Sequence, residues 1–226
     1  TMQVMGRLLL VRHGQASFGA EDYDQLSELG HRQCRRLGDY LRERNWAFEA
    51  VLTGTLRRHR QSWEAIARGL GNTQAALALP GLDEYDSLAV IATVHPTPLT
   101  RPTNYAEYRH HFRLLRDGLR LWMDGQSQPQ GMPTYRVFVE GVAAALELVR
   151  ERYQGDVLVV SSGGPISTAV GLLLSTPPQV TIDLNMRIRN SAVTELTFNS
   201  KRHNLVTYNT LPHLDGSEWQ DWITHA

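Results

Sequence analysis

Leu8-Leu9-Leu10-Val11-Arg12-His13-Gly14-Gln15 is the stretch that decides the fold. Four apolar residues with strand character run directly into an arginine, a histidine and a glycine, and there the hydrophobic signal stops. A short apolar run of this kind reads as a fully buried strand, most often in a parallel sheet covered on both faces. Open α/β sheets bind ligands outside the carboxyl ends of their strands, which is where Arg12, His13 and Gly14 fall.

Working outward, a second run of the same kind, Val157-Leu158-Val159-Val160, ends in Ser161-Ser162-Gly163-Gly164-Pro165. Glycines followed by an early proline suit a helix N-terminus whose N–H groups can hold an anion. Between the two runs, Ser27 is placed to cap a helix with Cys34, Leu37 and Leu41 on one face, after a loop from Gln15 to Gln25 that contains Gly19. Ala50 to Thr53 reads as a short strand, followed through Gly54 by a helix with Trp63, Ile66, Ala67 and Leu70 on one face. Arg57, Arg58, His59 and Arg60 crowd its first turn, where cations oppose the macrodipole, a cost more easily borne where an anion binds. Leu77-Ala78-Leu79 suggests a third strand, with Leu82-Asp83-Glu84-Tyr85-Asp86 just beyond it.

From about 85 to 133 the pattern changes. Pro96, Pro98 and Pro102 break regular structure, a helix is expected from about Asn104 to Met123, and Gln126 to Gly131 reads as a linker. This stretch is expected to leave the core and act as a lid. The core resumes with a helix capped by Thr134, with Phe138, Val142, Ala145 and Val149 on one face. Ala192 to Phe198 and Asn204 to Tyr208 read as a closing hairpin, and Trp219 and Trp222 as a tail that docks or meets a second subunit. Alternating strands and helices predict a three-layer α/β/α sandwich with a mostly parallel central sheet, a single domain over residues 1–226.

The bulk properties narrow the function. In 226 residues there are 23 Lys and Arg against 23 Asp and Glu, so the electrostatic pull toward nucleic acid or membrane surfaces is missing. One cysteine, Cys34, excludes an internal disulfide framework and fits a reducing compartment. Its simplest role is that of a small buried apolar residue. The apolar run after Arg7 is too short for a signal-peptide core, and no segment has the length of a membrane span, so a cytoplasmic location is expected. His110 and His111 are adjacent, a poor pair for a metal on a helix, and are expected to lie on the surface or in the lid.

Four separated segments carry phosphate-handling chemistry: Arg12-His13-Gly14, Arg58, Glu84 and Ser162-Gly163-Gly164. Phosphoryl transfer needs guanidinium forks, an in-line nucleophile and an acid for the leaving group, and this chain can supply all three. A neutral imidazole is nucleophilic near pH 7 when a hydrogen bond to its other nitrogen fixes the tautomer. The segment Leu82 to Asp86 can also be read as a polar turn, and Ser162 to Pro165 as a tight strand-to-helix connection.

In these segments the sequence resembles the histidine phosphatase superfamily, in its phosphoglycerate mutase-like branch. The resemblance spans nearly the whole chain. Leu10-Val11-Arg12-His13-Gly14-Gln15 is similar to the signature at the end of the family's first strand, and Asp24 to Gln33 to the stretch after it. Thr53 to Ser62 resembles the second arginine motif, Leu82-Asp83-Glu84 the context of the proton-donating carboxylate, and Asn190 to Thr194 the entry to the last strands. The resemblance implies that His13 is transiently phosphorylated, Arg12 and Arg58 bind the phosphoryl group, and Glu84 protonates the departing oxygen before water hydrolyses the phosphohistidine. Gly14, Ser162 and Gly163 would complete the phosphate site. It implies no metal and no organic cofactor, and as partner a small phosphorylated substrate, with the chain a monomer or homodimer.

Two departures stand out. The family usually has Ser-His-Gly-Gly where this chain has Ser161-Ser162-Gly163-Gly164, so Ser162 replaces a pocket histidine. A serine donates one hydrogen bond but carries no charge, and losing one such donor typically costs about 10²–10³ in rate. His95, His110 and His111 are the candidates in the excursion to make up for it. Ala16 replaces a hydroxyl residue that is common after Arg-His-Gly-x. The expectation is a histidine acid-type phosphomonoester phosphatase, with reduced activity left open. The alternatives are a phosphoglycerate mutase and a low-activity phosphate-binding or scaffold protein.

Overall fold

The computed structural model describes residues 5–17 and 23–225. Gly19, expected in the loop after Gln15, lies outside them. In chain order the elements are β1 (Gly6–Arg12), α1 (Glu28–Glu43), β2 (Ala50–Thr53), α2 (Arg57–Leu70), β3 (Leu77–Ala78), α3 (Ser87–Ala92) and α4 (Tyr105–Met123). There follow α5 (Tyr135–Arg152), β4 (Val157–Ser161), α6 (Gly163–Leu174), α7 (Pro178–Arg187), β5 (Val193–Phe198) and β6 (His203–Thr210). Short 3-10 turns occupy Pro80–Leu82, Pro212–Leu214 and Ser217–Trp222.

The strands form one sheet in the order β3-β2-β4-β1-β5-β6. β3, β2, β4 and β1 are parallel neighbours, and β5 runs antiparallel to both β1 and β6. Alternation along β1 explains its unbroken apolar run. Leu8 and Leu10 pack with Leu52, Val157 and Val159 under α5 and α6, while Leu9 and Val11 pack with Val51, Leu158 and Val160 under α1 and α2. A strand covered on both faces has no polar side to present. The result is the expected α/β/α sandwich with a mostly parallel sheet, and β1 and β4 sit side by side at its centre with their carboxyl ends together.

The local signals behave as the side chains dictate. Ser27 accepts from the Gly30 N–H at the start of α1 and Thr134 from the Val137 N–H at the start of α5, each satisfying an otherwise orphaned helix donor. In the stretch from 85 to 133, Val90 and Ile91 of α3 and Leu115, Leu119 and Trp122 of α4 form a separate core with Ile182 of α7. Tyr85, Tyr135 and Phe138 pack around Trp122. α3 and α7 were not expected. α3 is a helix of 6 residues, too short to show a period, and α7 buries only Thr181 and Ile182.

The tail docks on α1. Gln33 Nε2 donates to the Trp222 carbonyl at 2.6 Å, and the guanidiniums of Arg32 and Arg36 lie over the rings of Trp222 and Trp219. Among the described residues no helix is long and apolar enough to cross a membrane.

Candidate active site

His13 follows β1, and its N–H donates to the Ser161 carbonyl at the end of β4 at 2.9 Å. The adjoining strand ends therefore hold its backbone. The side chain is 3 % exposed, and Nδ1 lies 2.7 Å from the Gly14 carbonyl oxygen. A carbonyl can only accept, so Nδ1 carries the proton and Nε2 keeps its lone pair. Burial, and then the charges of Arg58 and Arg12, push the pKa of His13 well below the usual imidazole value. The ring is neutral at physiological pH. The Gly14 N–H donates to Ser62 Oγ at 3.0 Å, which ties this turn to α2.

Arg12 and Arg58 reach the same place from β1 and α2. Arg12 Nη1 donates to the carbonyls of Ile188 and His225, which fixes one edge of the guanidinium. Arg58 Nη1 donates to Asp24 Oδ1 at 3.0 Å, and Asp24 also accepts the backbone N–H groups of Arg57 and Arg58. Asp24 thus supplies the negative charge that the first turn of α2 lacks within its own sequence. Arg12 Nε and Arg58 Nε are buried without a hydrogen-bond partner among the described residues. Two buried guanidinium donors left over beside a neutral histidine form a cradle for an anion.

Glu84 completes the cluster from the segment after the Pro80–Leu82 turn. Ser161 Oγ donates to the Leu82 carbonyl at 2.6 Å, so the end of β4 anchors that segment. The Gly164 N–H donates to both Glu84 carboxyl oxygens at 3.1 Å, so the acceptor at the N-terminus of α6 is a side chain of the chain itself. Gly164 is required there, because a Cβ would lie 2.1 Å from Glu84 Oε1. Burial raises the Glu84 carboxyl above its ordinary value, more than the Gly164 N–H, Arg58 and Arg12 lower it. A carboxyl held toward its protonated form suits a proton donor.

Ser162 sits at the N-cap of α6 without capping it; its Oγ lies 2.6 Å from His59 Nε2. The imidazole beside Ser162 therefore comes from α2. His59 is 0 % exposed, and its ring centroid is 5.8 Å from that of His13. This corrects the expectation that the excursion would supply it: His95 and His110 pair with each other and His111 with Phe112. The signal for His59 was present in the sequence, since 59, 63, 66 and 70 fall on one helical face, the buried face of α2. Asp24, the partner of Arg58, lies 34 positions away in sequence and carries no such local signal.

Gly163 begins α6, and a Cβ on it would meet Asn185 Oδ1 at 2.5 Å. Asn190 Nδ2 and the Ser191 N–H both reach the His13 carbonyl, so the Asn190 to Thr194 segment braces the backbone of His13. A cavity of about 670 Å³ between the end of α4 and the start of α5 is lined by Trp122, Gln128, Thr134 and Arg136, and by none of His13, Arg12, Arg58, Glu84 and Ser162. Among the described residues no three His, Cys, Asp or Glu side chains come together as a metal site.

Comparisons with known proteins bear on the family and the fold. Residues 8–211 match the model of the histidine phosphatase superfamily, branch 1. No curated protein sequence matches the chain. Among solved structures, phosphoserine phosphatase from Entamoeba histolytica in complex with 3-phosphoglyceric acid is 18% identical with a TM-score of 0.64, covering 93% of this chain and 100% of that one. Phosphoglycerate mutase from Bacillus anthracis is 15% identical with a TM-score of 0.66, covering 93% and 96%. The protein histidine phosphatase SixA complexed with tungstate is 17% identical with a TM-score of 0.58, covering 92% and 99%. At these identities the structural likenesses speak for the fold.

Proposed function

This chain belongs to the histidine phosphatase superfamily, branch 1, and from that premise we propose that it is a phosphomonoester phosphatase working through a phosphohistidine on His13. The observation that carries the reading is a neutral, buried His13 with its proton fixed on Nδ1, beside two guanidiniums that each keep an unpartnered buried Nε.

In the first step the Nε2 lone pair of His13 attacks phosphorus. The phosphorus–oxygen ester bond breaks with its electron pair going to the leaving oxygen, which takes the proton of Glu84. Arg12 and Arg58 bind the equatorial oxygens as charge develops on them, with Gly14, Ser162 and Gly163 lining the same site. In the second step a water oxygen attacks phosphorus, the phosphorus–nitrogen bond returns its pair to His13 Nε2, and a water proton goes to the Glu84 carboxylate. Inorganic phosphate leaves and the starting protonation is restored. The excursion from 85 to 133 bears on substrate choice: its Tyr85 adjoins Glu84 and accepts from Asn185 Nδ2 at 2.9 Å, which places the aromatic cluster around Trp122 next to the proton donor.

Hydrolysis of p-nitrophenyl phosphate is the test. The native chain should turn it over, form an acid-labile phosphoenzyme on rapid quenching, and lose both properties in His13→Ala. Turnover no greater than that of His13→Ala would end the phosphatase reading.

A further inference from the structure

Ser162 holds the N-cap position of α6, where a serine hydroxyl ordinarily accepts from the helix's first free N–H groups. Here the hydroxyl makes no cap bond and is turned onto His59 Nε2, while Glu84 takes the Gly164 N–H in its place. On the far side of the imidazole, Nδ1 has no hydrogen-bond partner among the described residues and faces Asp83 Oδ1 at 3.8 Å. Asp83 is held by the backbone N–H and hydroxyl of Thr55. The space for this arrangement is provided by Gly54: a Cβ there would lie 2.1 Å from His59 Nδ1 and 2.6 Å from Asp83 Oδ1. A glycine, a diverted cap and a carboxylate thus converge on one buried imidazole whose ring neighbours His13.

We propose that His59 acts through Ser162 as the second imidazole of the phosphoryl site, taking up one proton when a phosphoryl dianion binds. Ser162 is the group that touches the phosphoryl oxygen, and His59 is a positioning residue behind it. As the structure stands, the Asp83 carboxylate favours the proton on Nδ1, so the Ser162 hydroxyl donates to Nε2. An incoming phosphoryl oxygen needs a donor. That need is met when His59 gains a proton from water at Nε2 and donates it to Ser162 Oγ, freeing the serine's own proton for the phosphoryl oxygen. The bond formed is Nε2–H and the bond broken is the one to that proton in the solvent's buffer acid, which passes it through water and is left as its conjugate base. The charged and titratable groups facing His59 are Asp83, which favours the imidazolium, Arg58 on its own helix, which opposes it, and the neutral ring of His13. Burial opposes the imidazolium more than Arg58 does, and the negative charge of the phosphoryl dianion acts against both.

The inference rests on the phosphatase reading, and the experiment separates the two. The full chain, Ser162→Ala, His59→Gln and the double variant are compared in p-nitrophenyl phosphate kinetics. Tungstate binding is followed by calorimetry in two buffers of different ionisation enthalpy. Ser162→Ala is expected to lower kcat by about 10²-fold, and the double variant to fall no more than a few-fold below it, because the two residues act as a unit. Tungstate binding to His59→Gln should take up about one proton fewer than binding to the native chain, a readout that loss of packing alone does not move. Losses that multiply in the double variant, or an unchanged proton uptake, overturn the proposal. If the native chain does not turn over, the phosphatase reading fails while the calorimetry still decides whether His59 protonates on anion binding.

Discussion

His59 and His213 are near twins in their immediate surroundings. Both are 0 % exposed, both bond through Nε2 to a serine hydroxyl, at 2.6 Å to Ser162 and 2.9 Å to Ser191, and both carry an Nδ1 with no hydrogen-bond partner among the described residues. Burial pushes each down to about 3. What lies one layer further out differs. His59 has Arg58, the Asp83 carboxylate and the ring of His13 around it, whereas His213 lies in the Pro212–Leu214 turn next to α1, with Arg36 the charge that reaches it. A buried, weakly basic histidine is therefore no sign of a site by itself; convergence with cations and a nucleophile is.

The largest effect should come from removing the cation that sets the two apart. Arg58→Ala is expected to lower kcat/KM for p-nitrophenyl phosphate by about 10³-fold, since it deletes a charge-assisted donor at the phosphoryl group and the ion pair to Asp24. A loss below tenfold would mean that Arg58 serves the fold through Asp24 and that the comparison has been drawn around the wrong residue. Glu84→Gln comes next, with kcat down by about 10²–10³-fold through loss of the proton donor. Its stability should move the other way. Glu84 is raised above its ordinary value in the folded chain, so its contribution is most favourable at low pH and is lost as pH rises through the folded value. Glutamine keeps an acceptor for the Gly164 N–H without the charge, so melting at pH 8 should show Glu84→Gln gaining on the native chain relative to pH 5.

The same two histidines show what could be read from the chain and what could not. β1, β2 and β4 were legible because a doubly covered strand leaves an unbroken apolar run, and the caps at Ser27 and Thr134 because those side chains have one common use at a helix start. His13, Arg12, Arg58 and Glu84 stood out because each ends or follows a strand, or opens a helix, at the same end of the sheet. His59 did not, because it sits among Arg57, Arg58 and Arg60, and a charge run hides a buried residue from any reading by composition. Only helical spacing, with Trp63 and Ile66 on its face, separates it from its neighbours. The partners Ser162 and Asp83 are long-range in sequence, as is Ser191 to His213, and no local pattern states such a pairing. α7 was missed for a related reason: its neighbours, rather than a stripe of its own, hold it in place.

The smallest effect on catalysis should be at His213, and it sharpens the comparison most. His213→Gln is expected to leave kcat within about threefold of native while costing about 1–3 kcal/mol of stability at pH 7, since it disturbs the buried bond to Ser191. The variant should also change how stability depends on acid. The folded values of His13, His59 and His213 lie below the ordinary 6.5, so as pH falls the unfolded chain binds protons first. Stability is complete above 6.5 and is lost as pH falls toward the folded values, near 3 for His59 and His213. Each such histidine contributes up to about 1.4 kcal/mol per pH unit to that slope. Urea unfolding followed from pH 7 to pH 4 should therefore be shallower by up to that amount in His213→Gln. An equal flattening in His59→Gln would show that the twins match in their protons at rest. Tungstate should then part them, reducing the slope of the native chain and leaving that of His59→Gln where it was, because an anion that protonates His59 in the folded chain cancels the proton uptake on unfolding.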